Sequence, residues 1–138
     1  MLTINWTISK SINDQISILD YIEKDPEIIR NIFFSIIDKI PNFSFFGKPL
    51  LSYLNYNGHQ NLWPMSILFE KSFYKSKYIS EIMKIIAFER YVEINKPKKV
   101  IVEGLNQDAL QTLNKICASK NIILIARKSS SYIKKRKL

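Results

Sequence analysis

A single cysteine, Cys117, is all the thiol chemistry in this chain, which excludes an internal disulfide and any cysteine-built zinc site. Its position within a helical pattern points to a buried, inert thiol. Histidine is as scarce, with His59 alone. The three glycines are scattered, and Gly104 stands alone, so G-L-N-Q-D is not the G-x-G-x-x-G dinucleotide fingerprint, and the phosphate loop G-x-x-x-x-G-K-[ST] is missing as well. No cofactor is therefore expected. No apolar run approaches the eighteen or so residues a membrane-spanning helix needs; Ile32 to Ile37 is broken by Ser35 and soon meets Asp38 and Lys39. The first ten residues lack a charged start followed by an apolar stretch, so a secretory signal is not expected and a cytoplasmic setting is.

What is present is a core. The chain is 46% hydrophobic and 12% aromatic, a globular composition of one domain's length. The formal charge of +9 is unevenly placed. Arg127, Lys128, Lys134, Lys135, Arg136 and Lys137 supply six cations without an acid, leaving 15 basic against 12 acidic residues in positions 1 to 126. A nearly balanced body argues against nucleic-acid binding. The basic end, residues 129 to 138, reads as a frayed tail or as a peripheral contact with anionic lipid on the inner membrane face.

Periodicity gives the organisation. Ser11 to Asp14 offers capping side chains before Ile16, Leu19 and Ile22, and Asp25-Pro26-Glu27 restarts a helix that Pro41 stops, which predicts an N-terminal helical hairpin within residues 1 to 45. Leu50 to Asn55 is short and apolar and is expected to be a buried strand. Tyr56 to Asn61 reads as a loop, and Ser76 to Glu93 has the length and spacing of a helix. Lys99-Val-Ile-Val-Glu103 and Ile122-Ile-Leu-Ile-Ala126 are β-branched runs suited to parallel strands, separated by a helix from Gln107 to about Ser119 that Asn106 can cap. The expected fold is α/β: a Rossmann-like β-α-β-α-β unit over residues 46 to 128, with a parallel sheet of three or more strands, forming one compact domain with residues 1 to 45.

Right-handed crossovers would make the strands co-directional, and ligands of such sheets bind beyond the carboxyl ends. The connectors expected there contain His59 with Asn57 and Gly58, then Glu103, then Arg127. His59 and Glu103 are the candidate proton acceptors, since an imidazole titrates near neutrality and a strand-end carboxylate can bind a hydroxyl. Trp63, Phe69, Phe73, Tyr74 and Tyr78 offer a stacking wall for a sugar, although aromatic residues are more often core. Glu70, Lys71 and Ser66 could present polar groups beside it.

Trp63-Pro-Met-Ser66, Glu70-Lys-Ser72, Tyr74-Lys-Ser76 and the helical K-I-I-A-F-E of Lys84 to Glu89 resemble the N-terminal region of bacterial surface carbohydrate biosynthesis proteins related to glycosyltransferases. Upstream, P-E-I-I-R-N-I-F-F-S-I-I-D is similar to the helical segment that precedes that motif, so the resemblance covers roughly residues 12 to 126. It implies a GT-B type enzyme whose N-terminal half holds a carbohydrate acceptor while a C-terminal half holds the nucleotide-sugar donor. This chain ends soon after its last predicted strand, so activity would need a donor-domain partner chain. The expected function is thus the acceptor half of a surface-polysaccharide glycosyltransferase, inactive alone. The competing expectation is a non-enzymatic module that docks a partner or forms a homodimer through an unpaired strand edge.

Overall fold

The computed structural model describes residues 2–8, 10–12, 14–56, 58, 60–65 and 76–128. Four co-directional strands form its main sheet: β1 (Leu2–Asn5), β2 (Gln15–Ser17), β7 (Lys99–Glu103) and β8 (Ile123–Arg127), in the order β2-β1-β7-β8. This is a mixed α/β fold with a parallel sheet and flanking helices, consistent with a Rossmann-like arrangement. β7 and β8 are the two β-branched runs, and Val100, Ile101 and Val102 are fully buried, as a central parallel strand requires.

The expected first strand is corrected. Leu50–Tyr53 is a single helical turn, α3, and does not join the sheet. Pro49 precedes it, the Ser52 hydroxyl donates to the Pro49 carbonyl at 2.7 Å, and Leu50, Leu51 and Leu54 pack on the core at helical spacing. A six-residue apolar run is too short to fix a period of 2 against one of 3.6. The strand beside β7 comes instead from the N-terminus. Leu2 and Ile4 alternate inward with Trp6, whose amide extends the ladder by donating to the Glu103 carbonyl at 2.9 Å.

The first 17 residues therefore add two strands ahead of the helices. α1 (Ile18–Lys24) is capped by Ser17, not by the Ser11 to Asp14 group, and α2 (Pro26–Lys39) starts with Pro26 in its first turn. Both pack on α4 (Lys77–Asn95), which carries Ile79, Ile86, Phe88 and Val92 into the core. Trp6 meets Phe88 edge-to-face at 6.5 Å, and Tyr21 meets Tyr91 at 5.3 Å. α5 (Gln107–Ser119) buries Ala109, Leu113 and Cys117. The passages from β2 to β7 and from β7 to β8 step the same way across the sheet, so right-handed crossovers place α4 and α5 on one face.

Between α2 and α4 the chain makes two small antiparallel hairpins, β3 (Ser44–Phe45) with β4 (Lys48–Pro49), and β5 (Asn55–Tyr56) with β6 (Gln60–Asn61), before a 3-10 turn at Trp63–Met65.

Candidate functional site

The step from β1 to β2 runs opposite to the step toward β7, so the strand order reverses between β1 and β7. Open α/β sheets bind ligands at that switch point, beyond the carboxyl ends. One register row marks this edge: Ser17, Asn5, Glu103 and Arg127 are successive cross-strand partners. Two of the four are consumed by the fold. The buried Asn5 side chain accepts from the amides of Thr7 and Ile8, each at 3.0 Å, and so folds the turn after β1. Ser17 caps α1 by accepting from the Asp20 amide, and its hydroxyl donates to the Ile8 carbonyl. These contacts pin a nine-residue parallel connection, residues 6 to 14, with no helix among its described residues.

Both long crossover helices begin at this edge, and a cleft of about 430 Å³ lies between their first turns. Ile82 and Ile85 of α4 and Ala109 of α5 give it an apolar floor. Glu81, Asn106, Asp108 and Thr112 supply polar groups, and Lys77 and Tyr78 stand at the mouth. Ser76 caps α4 by accepting from the Tyr78 amide at 3.2 Å. Asn106 caps α5 by accepting from the Ala109 amide at 2.7 Å.

Glu81 is the best-held group in the cleft. Its carboxylate accepts from the Trp6 indole N–H at 2.8 Å and from the Asn106 amide at 3.4 Å, and it pairs with the Lys84 ammonium at 3.0 Å. Lys84 in turn lies 5.9 Å from the centre of the Trp6 ring, a cation–π distance. A carboxylate fixed by three donors from three elements presents its remaining lone pairs in one orientation, which suits hydrogen bonding to a ligand hydroxyl. Asp108 sits in the first turn of α5, at the positive end of its dipole, and Glu81 stands just past the first turn of α4, so the two carboxylates weaken the pull that bare helix N-termini would exert on a phosphate.

Of the residues expected from sequence, those described are dispersed. Glu103 stands on the carboxyl edge but outside the cleft lining. Arg127 lies across the α5 N-terminus, in a smaller hollow of about 190 Å³ that also contains Lys128 and Gln107. Trp63 is 9% exposed and belongs to the core, not to a stacking wall. Gly58 lies between β5 and β6 with φ +72°, in a hairpin that follows no strand of the parallel sheet and so is not one of that sheet's strand-end connectors. Asn57, His59, Ser66, Glu70 and Lys71, with Phe69, Phe73 and Tyr74, lie outside the described residues. Among the described residues of the expected aromatic wall, Trp63 and Tyr78, it is Tyr78 that stands at the cleft. Among the described residues no three His, Cys, Asp or Glu side chains gather into a metal-binding set.

Comparison with models of known families, with curated proteins and with solved structures returns no match for this chain. The site itself therefore carries the functional argument. Sequence reasoning missed Glu81 as a site residue, yet a signal was there: Glu81 and Lys84 are an i,i+3 charge pair set into an otherwise apolar arc of α4.

Proposed function

We propose that the chain is the acceptor-side half of a GT-B type glycosyltransferase-like protein of surface-polysaccharide assembly, working in the cytoplasm with a separate donor-binding domain. In this reading α1 and α2 form the helical hairpin layer of that half, and the α4–α5 cleft receives the acceptor carbohydrate. The carrying observation is the cleft's chemistry at the carboxyl edge: an exposed tyrosine ring at the mouth, an apolar floor, and planar polar groups on Glu81, Asn106 and Asp108. A sugar presents an apolar C–H face to an aromatic ring and hydroxyls to carboxylates and amides. Two carboxylates in the lining, Glu81 and Asp108, against the single ammonium of Lys77 favour a neutral acceptor over the diphosphate of a donor.

Titration of isotope-labelled protein with a panel of neutral mono- and disaccharides tests it. The expected result is chemical-shift change concentrated at Tyr78, Glu81, Asn106 and Thr112, with Tyr78→Ala weakening affinity by about three- to tenfold, the worth of one aromatic contact. Tighter binding of a nucleotide sugar than of any free sugar at these amides would reverse the assignment of sides. Unchanged shifts across the cleft with every saccharide would dispose of the proposal.

One observation favours a second reading, a non-enzymatic docking module. β8 closes one edge of the sheet, and Ile123 on it is 62% exposed, a feature of strand-addition surfaces. That reading requires self-association or partner capture through β8, and a strict monomer in sedimentation over a wide concentration range would remove the homodimer form of it.

A further inference from the structure

From Lys39 to Phe69 the sequence runs for 31 residues without a carboxylate, with two lysines and seven aromatic residues. Within it, β3 and β4 are joined by Phe46 and Gly47, whose φ angles are +49° and +81°. Two successive positive φ values are the mark of a type I′ turn, where asparagine or aspartate is normally followed by glycine. Phenylalanine occupies the asparagine position here. It is also 100% exposed, so it bears a backbone cost and a hydration cost together without packing on the fold.

The ring is not isolated. Five of the eleven large apolar side chains exposed among the described residues fall between Phe43 and Leu62. Phe43 and Phe45 flank the turn, and Tyr53 is fastened beside them by its hydroxyl, which donates to the Phe45 carbonyl at 2.9 Å. Lys48, also exposed, follows the turn directly.

We infer that this hairpin is a membrane-surface anchor: Phe46 enters the interfacial layer of a bilayer containing anionic lipid, Phe43, Phe45 and Tyr53 lie at headgroup depth, and Lys48 meets the phosphates. The shape is a narrow convex tip, which suits insertion into a fluid layer better than complementarity to a folded surface. Aromatic rings with a flanking cation are the composition of membrane interfaces. The charge of +9, six of it on the basic end, draws the chain to an anionic surface and opposes association with a second copy of itself, while Lys48 supplies the cation at the tip. No described helix is long and apolar enough to cross a membrane, so the contact is peripheral. The inference stands independently of the carbohydrate reading.

Sedimentation of the full chain with phosphatidylcholine vesicles, with and without a minority of phosphatidylglycerol, tests it. Wild type is expected to bind the anionic vesicles more tightly. Phe46→Asn places a residue suited to the turn at that position, so thermal stability should hold or rise while vesicle affinity falls about tenfold. Phe46→Trp should shift its emission to the blue on vesicle addition, against a steady background from the buried Trp6 and Trp63. The inference is overturned if the wild type ignores anionic vesicles, or if Phe46→Asn binds as well as wild type. Unchanged Phe46→Trp emission on vesicles the protein has bound would overturn it too, since the basic tail would then be acting alone. Self-association abolished by Phe46→Asn would make the tip a protein contact instead.

Discussion

Gly104 shows how one residue can fix the edge on which the candidate site stands. Its φ is +84°, and a Cβ built there would lie 3.0 Å from the Thr7 methyl and 3.2 Å from its hydroxyl. The turn after β7 thus lies directly against the turn after β1, which is what brings Asn106 near Glu81. Gly104→Ala is expected to cost about 1–3 kcal/mol through left-handed backbone and crowding together, read as a lower urea midpoint with an unchanged slope. Adding Thr7→Ser should return part of that loss by removing the methyl, while the backbone share persists. Full recovery would mean that the φ requirement is unimportant, and no loss in the single variant would contradict the close approach altogether. Glu81 matters at the same scale in another way. Replacing it with alanine leaves the Lys84 ammonium, 11% exposed, without its carboxylate, so about 2–3 kcal/mol should be lost, against about 1 for Glu81→Gln.

At the scale of elements, α5 is held at the site by a cap with two duties. Asn106 Oδ1 accepts from the Ala109 amide while Nδ2 donates to Glu81, so cap and site geometry share one side chain. Asn106→Ala should cost about 1 kcal/mol of stability, and Asn106→Ser should recover most of it because serine also caps, yet neither should restore the saccharide response of Glu81. Parallel changes in stability and sugar response across the pair would show that the link to Glu81 carries no weight. The same caps explain what could be read in advance. α5 was legible to the residue, and α4 nearly so, because Ser76 and Asn106 announce their starts and Lys96, in left-handed conformation, ends α4 before Pro97. β7 and β8 were legible as β-branched runs. β1 was not, since Leu2, Ile4 and Trp6 give only three inward positions at a terminus, and of its two neighbours in the sheet β7 is nearly a hundred residues away while β2 is only three residues long. Once Leu50 to Asn55 took its place, residues 56 to 61 were read as a strand-end connector, whereas α3 leads into a separate two-stranded hairpin. Glu81 was overlooked because a carboxylate on a broadly apolar helix, like Glu89 and Glu93 further along it, reads as the solvent side, and only the indole of Trp6 reveals that it points inward to a shared contact.

Across the whole molecule, pH links the core to the amino edge of the sheet. Burial raises the Cys117 thiol above its ordinary value of 9.0, and burial followed by the neighbouring Tyr21 raises the Tyr91 phenol above 10.0. Lys120 is raised above 10.5, first by its 2.7 Å hydrogen bond to Glu93. All three shifts have the same sign. The folded chain holds these protons to higher pH than the unfolded chain, so their contribution is fully present below the unfolded values and is lost as pH climbs through the folded ones. Stability is therefore expected to be flat with respect to these groups through neutrality and to decline from about pH 9 upward. Cys117 titrates first when unfolded, so it should set the onset. Cys117→Ala removes that proton linkage while leaving Tyr91 and Lys120 in place, and its decline should begin about one pH unit later, at the cost of a small cavity behind α5. Thermal midpoints of the two proteins between neutrality and pH 11 distinguish the cases. If both curves break at the same pH, burial of the thiol is not what limits the fold in alkali, and the limit passes to the Tyr21–Tyr91 contact between α1 and α4.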